Sequence, residues 1–240
     1  MVQKTCYKVF DVVDIIYTYK TPQYSIPNRD RYQKDWLTLS LQSAKKLGYN
    51  TVLYTNSSDI SKGLSIDEVH LVSNTNRLWD SLKIDVLETR KGDDYFLSDY
   101  DITYFKRLEF PNSVDIIFDA FEDSDEIWNR VYKDTLTRIG KKLINVQQPV
   151  SNVGVLKFNN TTLKEKYIEE WKKLEFTTRD SKINPVYLTA TITQYLLTTL
   201  LTEEIKVHTF SGYSLGQPNE YYHHYNGNQK INKIVDKVVI

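Results

Sequence analysis

Asp99 and Asp101 stand two residues apart, directly after the apolar run Tyr95-Phe96-Leu97. In extended backbone, side chains two apart project to the same side. Two carboxylates held side by side repel each other unless a cation lies between them. Hard oxygen ligands of this kind suit Mg²⁺ or Mn²⁺, which keep open positions for phosphate oxygens. Asp-x-Asp is also common in solvated acidic loops, and the buried lead-in is what favours chemistry here. A second constellation is His224-Tyr225-Asn226-Gly227-Asn228-Gln229-Lys230. A neutral imidazole can complete a divalent-metal shell begun by two carboxylates. Gly227 lets backbone approach a ligand closely, and Lys230 is a point charge for a departing phosphate group. His223 is the alternative ligand, and the Gly and Lys spacing favours His224. His70 and His208 have no motif around them and read as surface or packed residues.

The elements that must position these groups alternate between strand and helix, which argues for an α/β sheet. Strands are expected at Val12–Tyr19, Thr51–Tyr54, Val69–Val72, Tyr95–Leu97, Val114–Phe118 and Val153–Phe158. Trp36, Leu37, Ser40, Leu41, Ala44 and Leu47 repeat at helical spacing, and Gly48 is placed to cap that helix. Leu78–Arg90 reads as a second helix. Leu163, Tyr167, Trp171 and Leu174 mark a third, and Leu188, Ile192, Tyr195 and Leu196 a fourth. The cluster Glu122-Asp123-Ser124-Asp125-Glu126 reads as a helix N-terminus, where acids suit the macrodipole. A Gly-rich loop over Ser211–Gly216 leads into Tyr221-Tyr222-His223-His224. No linker divides the chain, so residues 1–240 are expected to form one domain. An open α/β sheet binds its ligands outside the carboxyl ends of strands, and Asp99 follows such an end.

Composition narrows the partners. The 240 residues carry 31 Lys+Arg against 31 Asp+Glu, a formal net charge of zero. That balance argues against a nucleic-acid partner or a polybasic membrane patch. Cys6 is the single cysteine, so neither an intrachain disulfide nor a cysteine-built zinc site can form. No apolar run is long enough for a transmembrane segment, and the first residues do not resemble a signal peptide. The expected location is therefore cytoplasmic, and the host-cell cytoplasm if the source is a virus.

With these pieces in order, the sequence resembles the GT-A glycosyltransferases, and within them the glycogenin and bacterial galactosyltransferase group. Asp99-Tyr100-Asp101 is similar to that family's Asp-x-Asp metal site. Lys83 lies sixteen residues before Asp99 on the preceding helix, where the family has a donor-contacting Lys or Arg. Ser151-Asn152-Val153-Gly154-Val155 is similar to its Asn-x-Gly-Val segment, and His224-x-x-Gly227-x-x-Lys230 to its C-terminal motif. The resemblance implies a single GT-A (Rossmann-like) domain, with a mixed central sheet flanked by helices. It implies Mn²⁺ or Mg²⁺ held by Asp99, Asp101 and His224, a UDP-linked or other nucleotide-sugar donor, and a glycan or other hydroxyl acceptor. Donor contacts would come from Tyr17, Thr18, Lys83, Asp99, Tyr100, Asn152, Gly227 and Lys230. Tyr17 would stack on the base, its alternative being a strand-end core tyrosine.

Two departures from the family pattern stand out. Thr193-Gln194-Tyr195 lacks the acid that the family carries beside a Gln. No Asp or Glu is plainly placed as a general base; Asp180, Asp119 and Glu122 are candidates without a motif. Stereochemistry stays open. A competing reading takes Asp99-Tyr100-Asp101-Ile102-Thr103 as the nucleophile motif of haloacid-dehalogenase-type phosphatases, with Asp99 accepting the phosphoryl group. A further alternative is a catalytically inactive sugar-nucleotide-binding relative. A nucleotidyltransferase would need a Gly-rich loop after the first strand, and no glycine precedes Gly48.

Overall fold

The structure, a computed structural model, describes residues 13–20, 29–73, 78, 80–92, 94–122, 137, 150–179, 182–183, 185–210 and 219–224. Its strands are β1 (Asp14–Tyr19), β2 (Asn50–Thr55), β3 (Glu68–Leu71), β4 (Tyr95–Ser98), β5 (Ile102–Tyr104), β6 (Ile116–Glu122), β7 (Val150–Phe158), β8 (Val207–Thr209) and β9 (Tyr222–His224). The helices are α1 (Arg29–Lys46), α2 (Ser58–Ser61), α3 (Ser81–Thr89), α4 (Thr161–Thr178), α5 (Pro185–Ala190) and α6 (Leu196–Leu200). A π-helical turn over Thr191–Tyr195 joins the last two.

Seven strands form one sheet in the order β3-β2-β1-β4-β7-β6-β8. β1, β2, β3 and β4 run parallel. β7 is antiparallel to both β4 and β6, and β8 is parallel to β6. This is the mixed central sheet flanked by helices that was expected. The chain leaves β1 through α1 to one side of the sheet and returns through α3 to β4 on the other side. That reversal opens a crevice at the carboxyl ends of β1 and β4, the general ligand position in such sheets.

Residues on the strands alternate between two apolar cores, as the two-residue period of a strand requires. Ile16, Val52, Leu97 and Phe118 face one core, closed by Leu163, Tyr167 and Trp171 of α4 and by Leu188, Ile192 and Leu196. Ile15, Tyr17, Leu53 and Phe96 face the other, closed by Leu37, Leu41 and Ala44 of α1. Both faces being covered explains why β4 and β7 are buried along their whole length. No helix among the described residues is long and apolar enough to cross a membrane.

Local signals act where the sequence places them. Gly48 takes φ +77° after α1, a left-handed conformation that costs glycine little, and its N–H closes on the Lys45 carbonyl at 2.9 Å. β6 and β7 reach further than expected, because their pairing resumes beyond an irregularity and continues to Glu122 opposite Val150. Glu122 therefore ends a strand and does not open a helix; residues 123–126 and the Gly-rich loop over 211–216 lie outside the described residues. At α4, Asn160 Oδ1 accepts the Leu163 N–H at 3.0 Å, and its Nδ2 donates to Asp115 Oδ1 at 2.8 Å. Asn160→Ala should lower unfolding free energy by about 1 kcal/mol through loss of this cap. The check is a shift in denaturant midpoint at constant slope.

Candidate functional site

The acids lie at the end of β4. That strand is held between β1 and β7, and Asp99 N–H continues the ladder by donating to the Gly154 carbonyl at 2.7 Å. The chain then turns, and Asp101 stands immediately before β5. β5 pairs antiparallel with β9, in the register Ile102–His224, Thr103–His223 and Tyr104–Tyr222. Pairing of Ile102 with His224, distant in sequence, thus sets His224 beside Asp101. One ligand atom from each of Asp99, Asp101 and His224 lies within 4.8 Å of the others. His224 Nε2 is 3.3 Å from Asp101 Oδ1 and 3.9 Å from Asp99 Oδ2. His223, one position earlier on β9, points to the opposite face of the strand.

Lys83 of α3 reaches the same place. Its Nζ is 2.6 Å from Asp99 Oδ1 and 3.7 Å from Asp80 Oδ1, and it donates to the Val153 carbonyl at 3.2 Å. Only 3% of its side chain is exposed, against 31% for Asp99. Lys83 in this structure thus neutralises Asp99. Burial works against its charge, but Asp80 and Asp99 outweigh burial and hold the ammonium above its ordinary value. Burial pushes the Asp99 carboxyl up to about 6 against the pull of Lys83 and His224, with Asp101 and Asp80 pushing the same way. For His224, burial opposes the charged form, but Asp101 and Asp119 outweigh it and raise the imidazole well above its ordinary value.

Behind His224 stands Asp119 of β6, fully buried. Its Oδ2 is 2.8 Å from His224 Nδ1, and its Oδ1 accepts the Tyr222 hydroxyl. The irregularity in β6–β7 pairing is what aims it: Phe118 pairs with Leu156 and Ala120 with Asn152, so three residues of β7 span the place of Asp119 alone. Gly154 is among those three. A Cβ built there would lie 2.5 Å from His224 Cε1 and 2.8 Å from Asp119 Oδ2, so glycine is what leaves room for the ring.

Other expected residues fall differently. Tyr17 is fully buried in the α1-facing core, and its hydroxyl accepts from Ser40 Oγ at 3.1 Å. No face of its ring is open to stack on a base, so the core reading is the correct one. Thr18, beside it on β1, is half-buried. Tyr100 is half-buried at the lip of the site, edge-on to Tyr19 at 6.1 Å, with Gln33 Nε2 donating to its hydroxyl at 3.4 Å. Asn152 is buried within β7, and its Oδ1 accepts the Gly154 N–H at 2.7 Å. Asp119, a candidate base, is fully buried behind the cluster, with its two oxygens on Tyr222 and His224. Asp180, Gly227 and Lys230 lie outside the described residues, as does the side chain of Glu122. His70 stacks on Tyr54 at 4.3 Å, and His208 is half-buried beside Phe210, in line with packed roles.

Asp80, Tyr222 and the second role of Gly154 were missed. The signal available was slight: Gly154 sits inside an otherwise apolar strand, which hints at a close approach. A cleft of about 520 Å³ between α3 and α4, lined by Ile84, Asp85, Trp171, Glu175 and Phe176 among others, does not include these acids.

Two carboxylates and an imidazole match the ligand preferences of Mg²⁺ and Mn²⁺. Burial, with Asp101 and Asp80 beside it, raises Asp99, and Asp101 and Asp119 raise His224; a divalent cation would favour the ionised carboxylates and the neutral imidazole. The residues present therefore fit such an ion.

No known protein family's sequence profile matches the chain, and no curated protein does. Among solved structures it is similar to the galactosyltransferase LgtC, crystallised with donor and acceptor sugar analogs. The identity is 12%, over 76% of this chain and 71% of that one, with a TM-score of 0.44. It is also similar to the glycosyltransferase GlyE of Streptococcus pneumoniae TIGR4. There the identity is 12%, over 82% of this chain and 45% of that one, with a TM-score of 0.47.

Gly154→Ala should displace the His224 ring and weaken Mn²⁺ binding by at least about tenfold, while overpacking costs about 1–3 kcal/mol of stability. Mn²⁺ titration and a thermal melt, run on the same preparation, check both parts.

Proposed function

We propose that this chain is a metal-dependent glycosyltransferase that moves a sugar from a nucleotide-diphosphate donor, UDP-linked by preference, to a glycan or other hydroxyl acceptor. The observation that carries this reading is the convergence of Asp99, Asp101 and His224 at the crevice between β1 and β4. Those three residues would hold Mn²⁺ or Mg²⁺. When bound, such an ion supplies Lewis-acid stabilisation to a departing diphosphate.

The chain's own residues prepare that place. Lys83 balances the charge of Asp99 and pins it against β7. Tyr100 stands at the rim, held by Gln33 of α1. His224 is kept upright by Asp119 and by the space over Gly154. Lys230 follows His224 by six residues and would face the diphosphate as a point charge. Asn152 would meet donor or acceptor hydroxyls after local rearrangement of β7. The phosphatase reading makes Asp99 a nucleophile, yet Lys83 holds that carboxylate and His224 would be left without a part.

Screening nucleotide sugars for Mn²⁺-dependent turnover and for thermal stabilisation tests the reading, since a bound donor raises apparent stability by mass action. UDP-sugars should stabilise the protein only with Mn²⁺ present. Asp101→Ala or His224→Ala should abolish turnover while the melting profile stays cooperative. Full activity in either variant sinks the metal assignment, and donor binding without turnover would identify an inactive relative.

Metal uptake should also depend on pH. Ligands must shed their protons to bind. Burial raises Asp99 to about 6, while Asp101 and Asp119 raise His224 well above its ordinary value against the effect of burial, so a cation must displace protons from both as pH falls. Mn²⁺ affinity should therefore rise as pH increases through about 6, where Asp99 loses its proton, and go on rising as His224 loses its own, with protons released on binding. Calorimetry in buffers of different ionisation enthalpy reads that release.

A further inference from the structure

The most buried carboxylate of the cluster has no part in holding a cation. We propose that Asp119 is a positioning residue that dictates which ring nitrogen of His224 carries the proton, and so whether His224 can serve as a ligand. The proposal rests on the cation-site reading above. Asp119 Oδ2 lies 2.8 Å from His224 Nδ1, and an ionised carboxylate offers acceptors alone. Nδ1 must then carry hydrogen, which leaves the lone pair on Nε2. Nε2 is the nitrogen that faces Asp101 at 3.3 Å and Asp99 at 3.9 Å. Carboxylates commonly orient metal-binding histidines in this way.

The second oxygen of Asp119 makes the arrangement specific. Tyr222 and His224 are two apart on β9 and so face the same side, where one carboxylate reaches both. The Tyr222 hydroxyl donates to Oδ1, and His224 meets Oδ2. Asp119→Asn keeps the shape but leaves one oxygen and one NH₂. Tyr222 still needs an acceptor and claims the oxygen, so the NH₂ turns to His224 Nδ1. A donor there requires a bare Nδ1, which moves the ring proton to Nε2 and blocks the face toward the acids. Removing the Tyr222 hydroxyl as well lets the amide turn over and present its oxygen to Nδ1. Gly154 leaves the ring room to sit against Asp119, since a Cβ there would lie 2.5 Å from Cε1 and 2.7 Å from Nδ1.

Mn²⁺ affinity of the full chain tests this, read from the electron paramagnetic resonance of free Mn²⁺, with circular dichroism to confirm folding. Asp119→Asn should weaken binding by about tenfold to about a hundredfold. Asp119→Asn with Tyr222→Phe should recover most of that loss, and Asp119→Asn should have no effect in a His224→Ala background. Unchanged affinity in Asp119→Asn, no recovery in the double variant, or equal weakening without His224 would each overturn the proposal. If wild-type protein does not bind Mn²⁺, or His224→Ala binds as wild type does, the cation-site reading fails and this proposal with it. Nitrogen-15 spectra of the Mg²⁺-loaded wild type give a check free of variants: His224 must be protonated at Nδ1, and the Nε2–H tautomer would refute the assignment.

Discussion

Asp80, Asp99, Asp101 and Asp119 are gathered around the end of β4, with Lys83 and His224 as ion-pair partners. Burial raises the proton affinity of Asp99, and Asp101 and Asp80 push it the same way. The surrounding structure is arranged to hold that charge without expelling it. Lys83 is buried where a lysine would not otherwise sit, and the sheet is interrupted to admit Asp119. A divalent cation would complete the balance, which is why the same constraint that shapes the fold also defines the proposed activity.

The support comes from several elements at once. α3 delivers Lys83 from one side of the sheet, and its carbonyl partner on β7 fixes the ammonium. β5 and β9 form a separate two-stranded ladder that carries His224 in from the far end of the chain. Asp119 joins that ladder to the main sheet through both Tyr222 and His224. Gly154 contributes by what it lacks: a methyl group there would collide with the imidazole and the carboxylate together. Such a site resists piecemeal change, because each polar group serves as the partner of another and an unpaired buried charge is costly.

Several features could be read from sequence because their causes are local. The two-residue spacing of Asp99 and Asp101 after an apolar strand, the period of Leu163, Tyr167 and Trp171, and the glycine closing α1 all follow from backbone geometry over a few residues. Tyr17 shows the limit. Its place near a strand end suited both a stacking surface and a core residue, and packing against α1 decided for the core. Glu122 was drawn toward a helix by its acidic neighbours, yet pairing with β7 made it the end of a strand.

The sequence by itself determined the α/β alternation and the acidic pair at a strand end, because residue type and short-range periodicity encode them, and it marked His224 only through its His-x-x-Gly-x-x-Lys motif. Tertiary structure alone decided that Lys83 neutralises Asp99, that β5 and β9 pair, and that Asp119 stands behind His224. Those relations join residues 16, 120 and 105 positions apart, with no repeating pattern between them. They arise when the sheet closes and buried charges must find partners, a requirement of low-dielectric surroundings that no local stretch of chain can express.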